Sequence, residues 1–320
     1  MQVTKNLDEN LNITVSNSIP KDMFEKVPSA DKNSEAIVRP SLTYWQDVWR
    51  RLKENKLAMI GLTFVVLITI IAIIGPLLSK YNYYSQDLDM ANQPPSAAHW
   101  FGTDKFGRDI FVRILYGARI SLAVGYAASI LNIVIGILYG GIAGYFGGKI
   151  DNLMMRIVDI LYSIPMMIYV ILLMVIFGAG LKSIIIALAI AYWLTMARIV
   201  RGQIMSLKQQ EFVFAAKTLG ASSMRILLRH LIPNCMGPII VTLTLSVPEA
   251  IFTESFLSFI GLGVSAPQAS WGTLASEALE GFQLYPTQLF FPALAICLTI
   301  LAFNLLGDGL RDALDPKMRK

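Results

Sequence analysis

Apolar residues run along this chain in long blocks, separated by short polar connectors instead of alternating with them. A helix that crosses ~30 Å of hydrocarbon needs about 20 residues at ~1.5 Å each. Residues 57–78 form the clearest block of that length. Blocks 120–146, 153–177, 183–205, 236–262 and 287–306 are interrupted by Gly, Pro or lone charges but still read as spans, giving a predicted set of six. The expected class is an all-α polytopic membrane protein. Its layout is a polar lead over 1–40, an interfacial helix over 41–56, the first span over 57–79 and an outer loop over 80–115. A five-helix core over 116–310, with a folded inner loop at 206–236, and a tail over 311–320 complete it.

Composition agrees. The 320 residues are 55% hydrophobic and 15% charged, whereas soluble domains are about 25% charged. The first apolar block follows a long polar lead and lacks a small-residue cleavage site, so it is expected to stay as an anchor. A net charge of +5 raises the question of nucleic acid. The cations lie beside spans, however, where orientation in the membrane explains them. Arg50, Arg51, Lys53 and Lys56, then Lys149 and Arg156, then Lys208, Lys217, Arg225 and Arg229, and finally Arg311, Lys317, Arg319 and Lys320 all fall on one side if the spans number six. That side is expected to be the cytoplasm, with both termini in it. Lys80, Lys105, Arg108, Arg113 and Arg119 in the opposite loop run against this rule, partly balanced by Asp87, Asp89, Asp104 and Asp109. Cys235 and Cys297 lie in or beside spans and read as packing residues. After Pro40, Ser41 is placed to cap a helix with Leu42, Trp45, Val48, Trp49 and Leu52 on one face, suited to lie on the inner leaflet or to extend the first span.

Several chemistries drop out. "AGYFGGKI" fails as a phosphate loop, because Ala143 stands where Gly is needed and Ile150 where Ser or Thr is. Asp87 and Asp89 open a calcium-loop spacing that Asn92 and Ala98 then break. His99 and His230 fall on opposite sides of the membrane, which leaves no His-based metal cluster, and there is no Gly-x-Ser-x-Gly elbow. No enzyme activity and no cofactor are expected on this chain. Gly136, Gly140, Gly144 and Gly148 recur every four residues and predict a flat strip against a neighbouring helix. Three carboxylates fall inside spans, where a charge costs ~2.5–3.5 kcal/mol on translocon scales. Asp159 is spaced to pair with Arg156; Glu249, just after Pro248, and Glu254 read as braces of a kinked helix or as pore contacts.

The segment 211–234, "EFVFAAKTLGASSMRILLRHLIPN", is neither greasy nor a simple loop. Phe212, Ala215, Ala216 and Leu219 recur at helical spacing, Gly220 suits a left-handed stop, Ser222 or Ser223 suits a cap for a second helix over 224–231, and Pro233 is expected to close it. Two short helices apolar on one face need a surface, either their own spans or a partner.

"AAKTLGAS" and "RHLIPN" resemble the cytoplasmic loop of permease subunits of ATP-binding-cassette importers, in which a short coupling helix seats in a cleft of the ATPase. "HWFGTDKFGRDIFVRILYGARISL", "GYFGGKIDNLMMRIVDILYSIP", "FTESFLSFIGLGVSAPQASWGTLASEA" and "GDGLRDALDPKMRK" are similar, in the same order, to the peptide branch of those permeases and to its C-type oligopeptide subunit. The likeness covers nearly everything from Ser41 to Lys320. It implies a type I importer permease in a bacterial cytoplasmic membrane. The implied partners are a B-type permease, two ATPases that hold Mg-ATP, a peptide-binding lipoprotein, membrane lipid and the peptide itself. It implies coupling residues at Glu211, Phe214, Ala215, Ala216, Gly220, Ala221, Arg229 and Pro233. Many relatives have Glu directly before the paired alanines; here that place is Phe214, with Glu211 three residues earlier, so the anchoring contact is expected to differ. An aspartate at Ala216 is expected to abolish uptake while leaving insertion intact. Dipeptide or nickel import is the nearest rival. An ion-driven secondary transporter, from another class, would need repeats and a carboxylate relay that the sequence does not display.

Overall fold

The computed structural model describes residues 43–315; the polar lead, Ser41, Leu42 and residues 316–320 of the expected tail lie outside them. The described regular structure is helical, apart from an isolated antiparallel bridge between Thr103 and Asp109. Helix α1 (Tyr44–Glu54) leads into α2 (Lys56–Leu78) through Asn55, whose side chain accepts from the Ala58 amide and so caps the second helix. Helix α3 (Ile110–Phe146) follows the outer loop and begins ten residues before the predicted span. Its 37 residues make a rod about 55 Å long, well beyond a hydrocarbon layer. The outer loop is correspondingly shorter than the predicted 80–115.

The expected span at 153–177 is not one helix. Helix α4 (Gly148–Ser163) and α5 (Met166–Phe177) meet at 88°. Pro165 has no N–H to continue the ladder, and it drives Ile164 to extended backbone at φ −87° and ψ 128°. Helix α6 (Leu181–Leu207) then runs parallel to α3, since Gly136, Gly140 and Gly144 meet Met196, Ala197 and Arg201 in that order. Two parallel helices need a return crossing between them. Helix α4 stays near the lower end of α6, with Asp151 on Arg201 and Asp159 on Arg198. Helix α5 then climbs antiparallel to α6: the Tyr169 hydroxyl donates to the Ala191 carbonyl, and Ser183 donates to the Phe177 carbonyl. The bent pair is therefore the missing crossing.

Helix α7 (Glu211–Thr218), α8 (Ser223–Ile226) and α9 (Ile232–Asn234) follow, then α10 (Met236–Phe259), α11 (Trp271–Ala278) and α12 (Pro286–Leu314). Helix α12 carries the fold on to Leu314, past the predicted start of a tail at 311. Helices α10 and α12 pack antiparallel, with Gly237 beside Leu314 and Gly307 beside Leu245. Helices α2 and α12 do likewise, with Gly61 against Ala302 and Ala58 against Gly309. The starts of α2 and α10 and the ends of α3, α6 and α12 therefore share one face of the molecule, together with α7 to α9. This is the geometry of six crossings.

The glycine strip is real over three of its four members. A Cβ on Gly140 would collide with the Ala197 carbonyl oxygen, and one on Gly144 would stand 2.8 Å from that of Arg201. Gly148 lies beyond the end of α3, at φ +56° with no neighbour near, so the strip stops before it. The predicted face of α1 also divides. Val48 and Leu52 are buried against Ala58, Ala313 and Leu314, whereas Trp45 and Trp49 are exposed.

Candidate functional site

Segment 211–234 folds as two helical arms around a glycine. Glu211 opens α7, where a carboxylate suits the positive end of the helix dipole. Gly220 takes φ +80°, a conformation that costs a side chain dearly. The Ala221 amide returns to the Ala216 carbonyl and the Gly220 amide to that of Lys217, which closes the helix end on its own carbonyls. Ser222 is the cap of the second arm, accepting from the Arg225 amide at 3.4 Å. Pro233 does not close that arm. A π-helical turn over Leu227–Leu231 widens the helix just upstream, α9 carries Pro233 in its first turn, and the chain runs on into α10.

Val213, Ile226, Leu227 and Leu231 form a small core with Met196, Val200 and Ile204 of α6. Ala216 and Ala221 are packed against that core, half-buried, and so belong to the segment's own interior. Lys208, which ends α6 just before the segment, donates to the Gly144 carbonyl at 2.9 Å and so ties that end of α6 to the end of α3. The outward surface carries an apolar group among polar residues such as Lys217, Thr218 and Arg225. Leu219 is 87% exposed, Phe214 59% and Met224 55%, beside exposed Ala215. Glu211 and Arg229 are exposed at the margins. The expected residues thus sort into an inward pair, an outward apolar group and the turn that joins them. Leu219 and Met224 were not singled out as surface residues, because periodicity cannot tell an inward apolar side chain from an outward one.

The opposite end carries a polar cap. Arg113, 2% exposed, donates to Asp104 at 2.6 Å and to Glu277 at 2.8 Å, and Arg108 bonds the same two carboxylates. Lys105 pairs with Glu280 on the surface and holds that carboxyl below its usual range. Arg119 donates to the carbonyls of Ala72 and Ile73. The cations that ran against the orientation rule are, with the exception of Lys80, spent on fold contacts. Gln288 of α12 joins the loop by bonding Asn92 and the Thr103 carbonyl, and the Trp271 indole donates to the Ile114 carbonyl.

The three carboxylates within the helical core have different surroundings. Asp159 pairs with Arg198 of α6 at 2.7 Å and not with Arg156, and the Arg198 guanidinium also lies over the Tyr162 ring, one helix turn along from Asp159. Glu254 is wholly buried. It accepts from Ser121 of α3 at 2.8 Å and Ser258 at 2.7 Å, and the Trp271 amide donates to the same Ser121 hydroxyl. That knot holds α3, α10 and α11 together, so Glu254 is the brace. Glu249 is exposed, and its carboxylate has no hydrogen bond or ion pair among the described residues. Only its backbone carbonyl is engaged, by the Tyr192 hydroxyl.

Residues 132–320 match the family described as binding-protein-dependent transport system inner membrane component. Residues 43–95 match the N-terminal transmembrane domain of oligopeptide transport permease C. The chain belongs to this permease family. It is 54% identical to the oligopeptide transport system permease protein OppC of Bacillus subtilis, over 95% of this chain and 99% of that protein. It is 53% identical to the dipeptide permease DppC of the same organism, over 95% of each chain. It is also 44% identical to the glutathione permease GsiD of an Escherichia coli strain, over 93% and 99%. The fold of this permease matches a chain of the inward-facing MetNI methionine ABC transporter with a TM-score of 0.53 at 19% identity, covering 64% of this chain and 96% of that one.

Proposed function

We propose that this permease forms one half of the translocation pathway of an ATP-driven importer of oligopeptides, with its orientation set so that both chain ends and segment 211–234 face the cytoplasm. The carrying observation is the outward apolar group of that segment. Phe214, Ala215, Leu219 and Met224 are held on a two-armed platform and have nothing to cover them among the described residues. Apolar surface of this kind in an aqueous compartment calls for a partner protein. A cytoplasmic ATPase subunit supplies that cover, one on this chain and one on a second permease subunit. ATP binding and hydrolysis, with Mg-ATP, take place in those ATPases. Closure of the ATPases pushes on the arms around Gly220, and Lys208 and the packing of α6 pass the displacement to α3. A peptide-binding lipoprotein on the outer side delivers cargo to the polar cap. Phe214 takes a place on the docking surface itself, and Glu211 is the carboxylate left free at its edge.

The test is uptake of a labelled pentapeptide by cells with and without this chain, in a strain lacking other peptide importers. Dipeptide and nickel serve as competitors, under ATP depletion and separately under an uncoupler with ATP maintained. Uptake that needs the chain and ATP, survives uncoupling and resists both competitors is expected. Loss on uncoupling alone would return the secondary-transporter reading. The dipeptide reading is kept as the second one on a single observation: the dipeptide and oligopeptide relatives are 53% and 54% identical to this chain. Competition by dipeptide would establish it.

A further inference from the structure

We propose that Glu249 lines the translocation path and takes the cationic amino terminus of the passing peptide; this rests on the peptide-importer reading above. Glu249 is the fourteenth of the 24 residues of α10, about 20 Å from its start and 15 Å from its end, which places the carboxylate near the middle of the crossing. The opposite face of the helix is closed: Val247 and Ile251 pack against Gly125 of α3, and Glu254 is bonded to Ser121. One flank of Glu249 is also covered, where Thr253, one turn along, shares a hydrogen bond with Tyr192 of α6. The open face carries Glu249, Phe252 and Phe256, at helical spacing and all exposed.

A mid-membrane carboxylate without a partner cannot face lipid tails, because hydrocarbon offers neither donor nor countercharge. Its face of α10 therefore looks onto water or onto a cation. The exposed aliphatic faces of α2 suit lipid; this one does not. The group that fits is an ammonium. It pairs with the carboxylate and also favours the π-faces of neighbouring aromatic rings such as Phe252 and Phe256. Each peptide with a free amino terminus carries one, whatever its sequence. A single carboxylate therefore reads the feature that such varied cargo shares, without a lock on side chains.

The experiment uses the whole transporter, reconstituted with its ATPases and a binding protein preloaded with cargo. One pentapeptide without Lys, Arg or His is offered with a free and with an acetylated amino terminus. The affinity of each form for the binding protein is measured separately and divided out. Wild type should move the free form faster, and Glu249→Gln should slow it about tenfold while leaving the acetylated form unchanged. Glu249→Asp should retain part of the preference. An unchanged preference in Glu249→Gln, or an equal loss for both forms, would overturn the proposal. So would release of the second permease subunit from Glu249→Gln on purification, since the cation would then belong to that subunit. If wild type moves neither peptide, the importer reading fails and takes this inference with it; transport by wild type with an indifferent Glu249→Gln defeats the inference alone.

Discussion

Leu219→Asp places a charge on a side chain that is 87% exposed and touches little of its own fold. Burying a leucine on docking gains about 1.5–3 kcal/mol, and aspartate forfeits that gain while adding the desolvation of a carboxylate. At about 1.4 kcal/mol per decade, affinity for the proposed ATPase partner should fall at least about tenfold, and by about a hundredfold or more at the upper end. The permease itself should melt as wild type does, since nothing inside the segment changes. Ala216→Asp behaves differently. Ala216 is packed against the Val213 and Ile226 core, so an unpaired carboxylate there costs about 1–3 kcal/mol of the segment's own folding before docking is considered. Both variants lose uptake, but for separate reasons. Titration of the ATPase onto the permease pair in nanodiscs, alongside the melting temperature of the pair, separates them. Wild-type affinity in Leu219→Asp with an unaltered melting temperature would refute the docking surface.

Gly140→Ala drives a methyl into the Ala197 carbonyl and should cost about 1–3 kcal/mol of stability, read as a lower melting temperature, whereas Gly202→Ala, with open space around it, should be neutral or slightly stabilising. Glu254→Ala removes the acceptor of the Ser121 and Ser258 hydroxyls and opens a void, for a loss of about 2–5 kcal/mol; Glu254→Gln, which keeps the volume and one acceptor, should lose less by the same measurement. Arg113→Ala leaves Asp104 and Glu277 sharing Arg108 alone. Its cost should fall below the about 3–5 kcal/mol of an uncompensated buried charge, and it should appear as faster proteolysis of the outer loop.

Much of this fold was legible because hydrocarbon imposes a length and a composition that short stretches display directly. Gly136, Gly140 and Gly144 announced their own contact, since nothing but close approach explains three glycines at one helical spacing. Gly148 fitted the same arithmetic and failed, because spacing does not reveal where a helix ends. The break at Pro165 carried a usable signal in its proline, but hydropathy averaged over it. Glu249 and Glu254 are five residues apart, about 140° around a helix, so they had to face different ways. Which one faced inward depended on Ser121, more than a hundred residues distant along the chain. The Asp159 partner was misassigned for the same reason: Arg156 is near in sequence, and Arg198 is near in space. Outward placement of Leu219 followed from a core that no single segment contains.

The unbroken length of α3 has a mechanical consequence. Its lower end is tied by Lys208 to the end of α6, just before the segment proposed to meet the ATPase, and its upper end is tied by Arg113 to the polar cap. The whole helix, 37 residues long, has no proline and no break. A lever of about 55 Å swung by 5° moves its far tip by about 5 Å. The glycine strip gives α6 a smooth bearing along that lever, so under the proposed coupling it is leverage, and not a relay of small rearrangements, that would set how far the outer end travels for each stroke below.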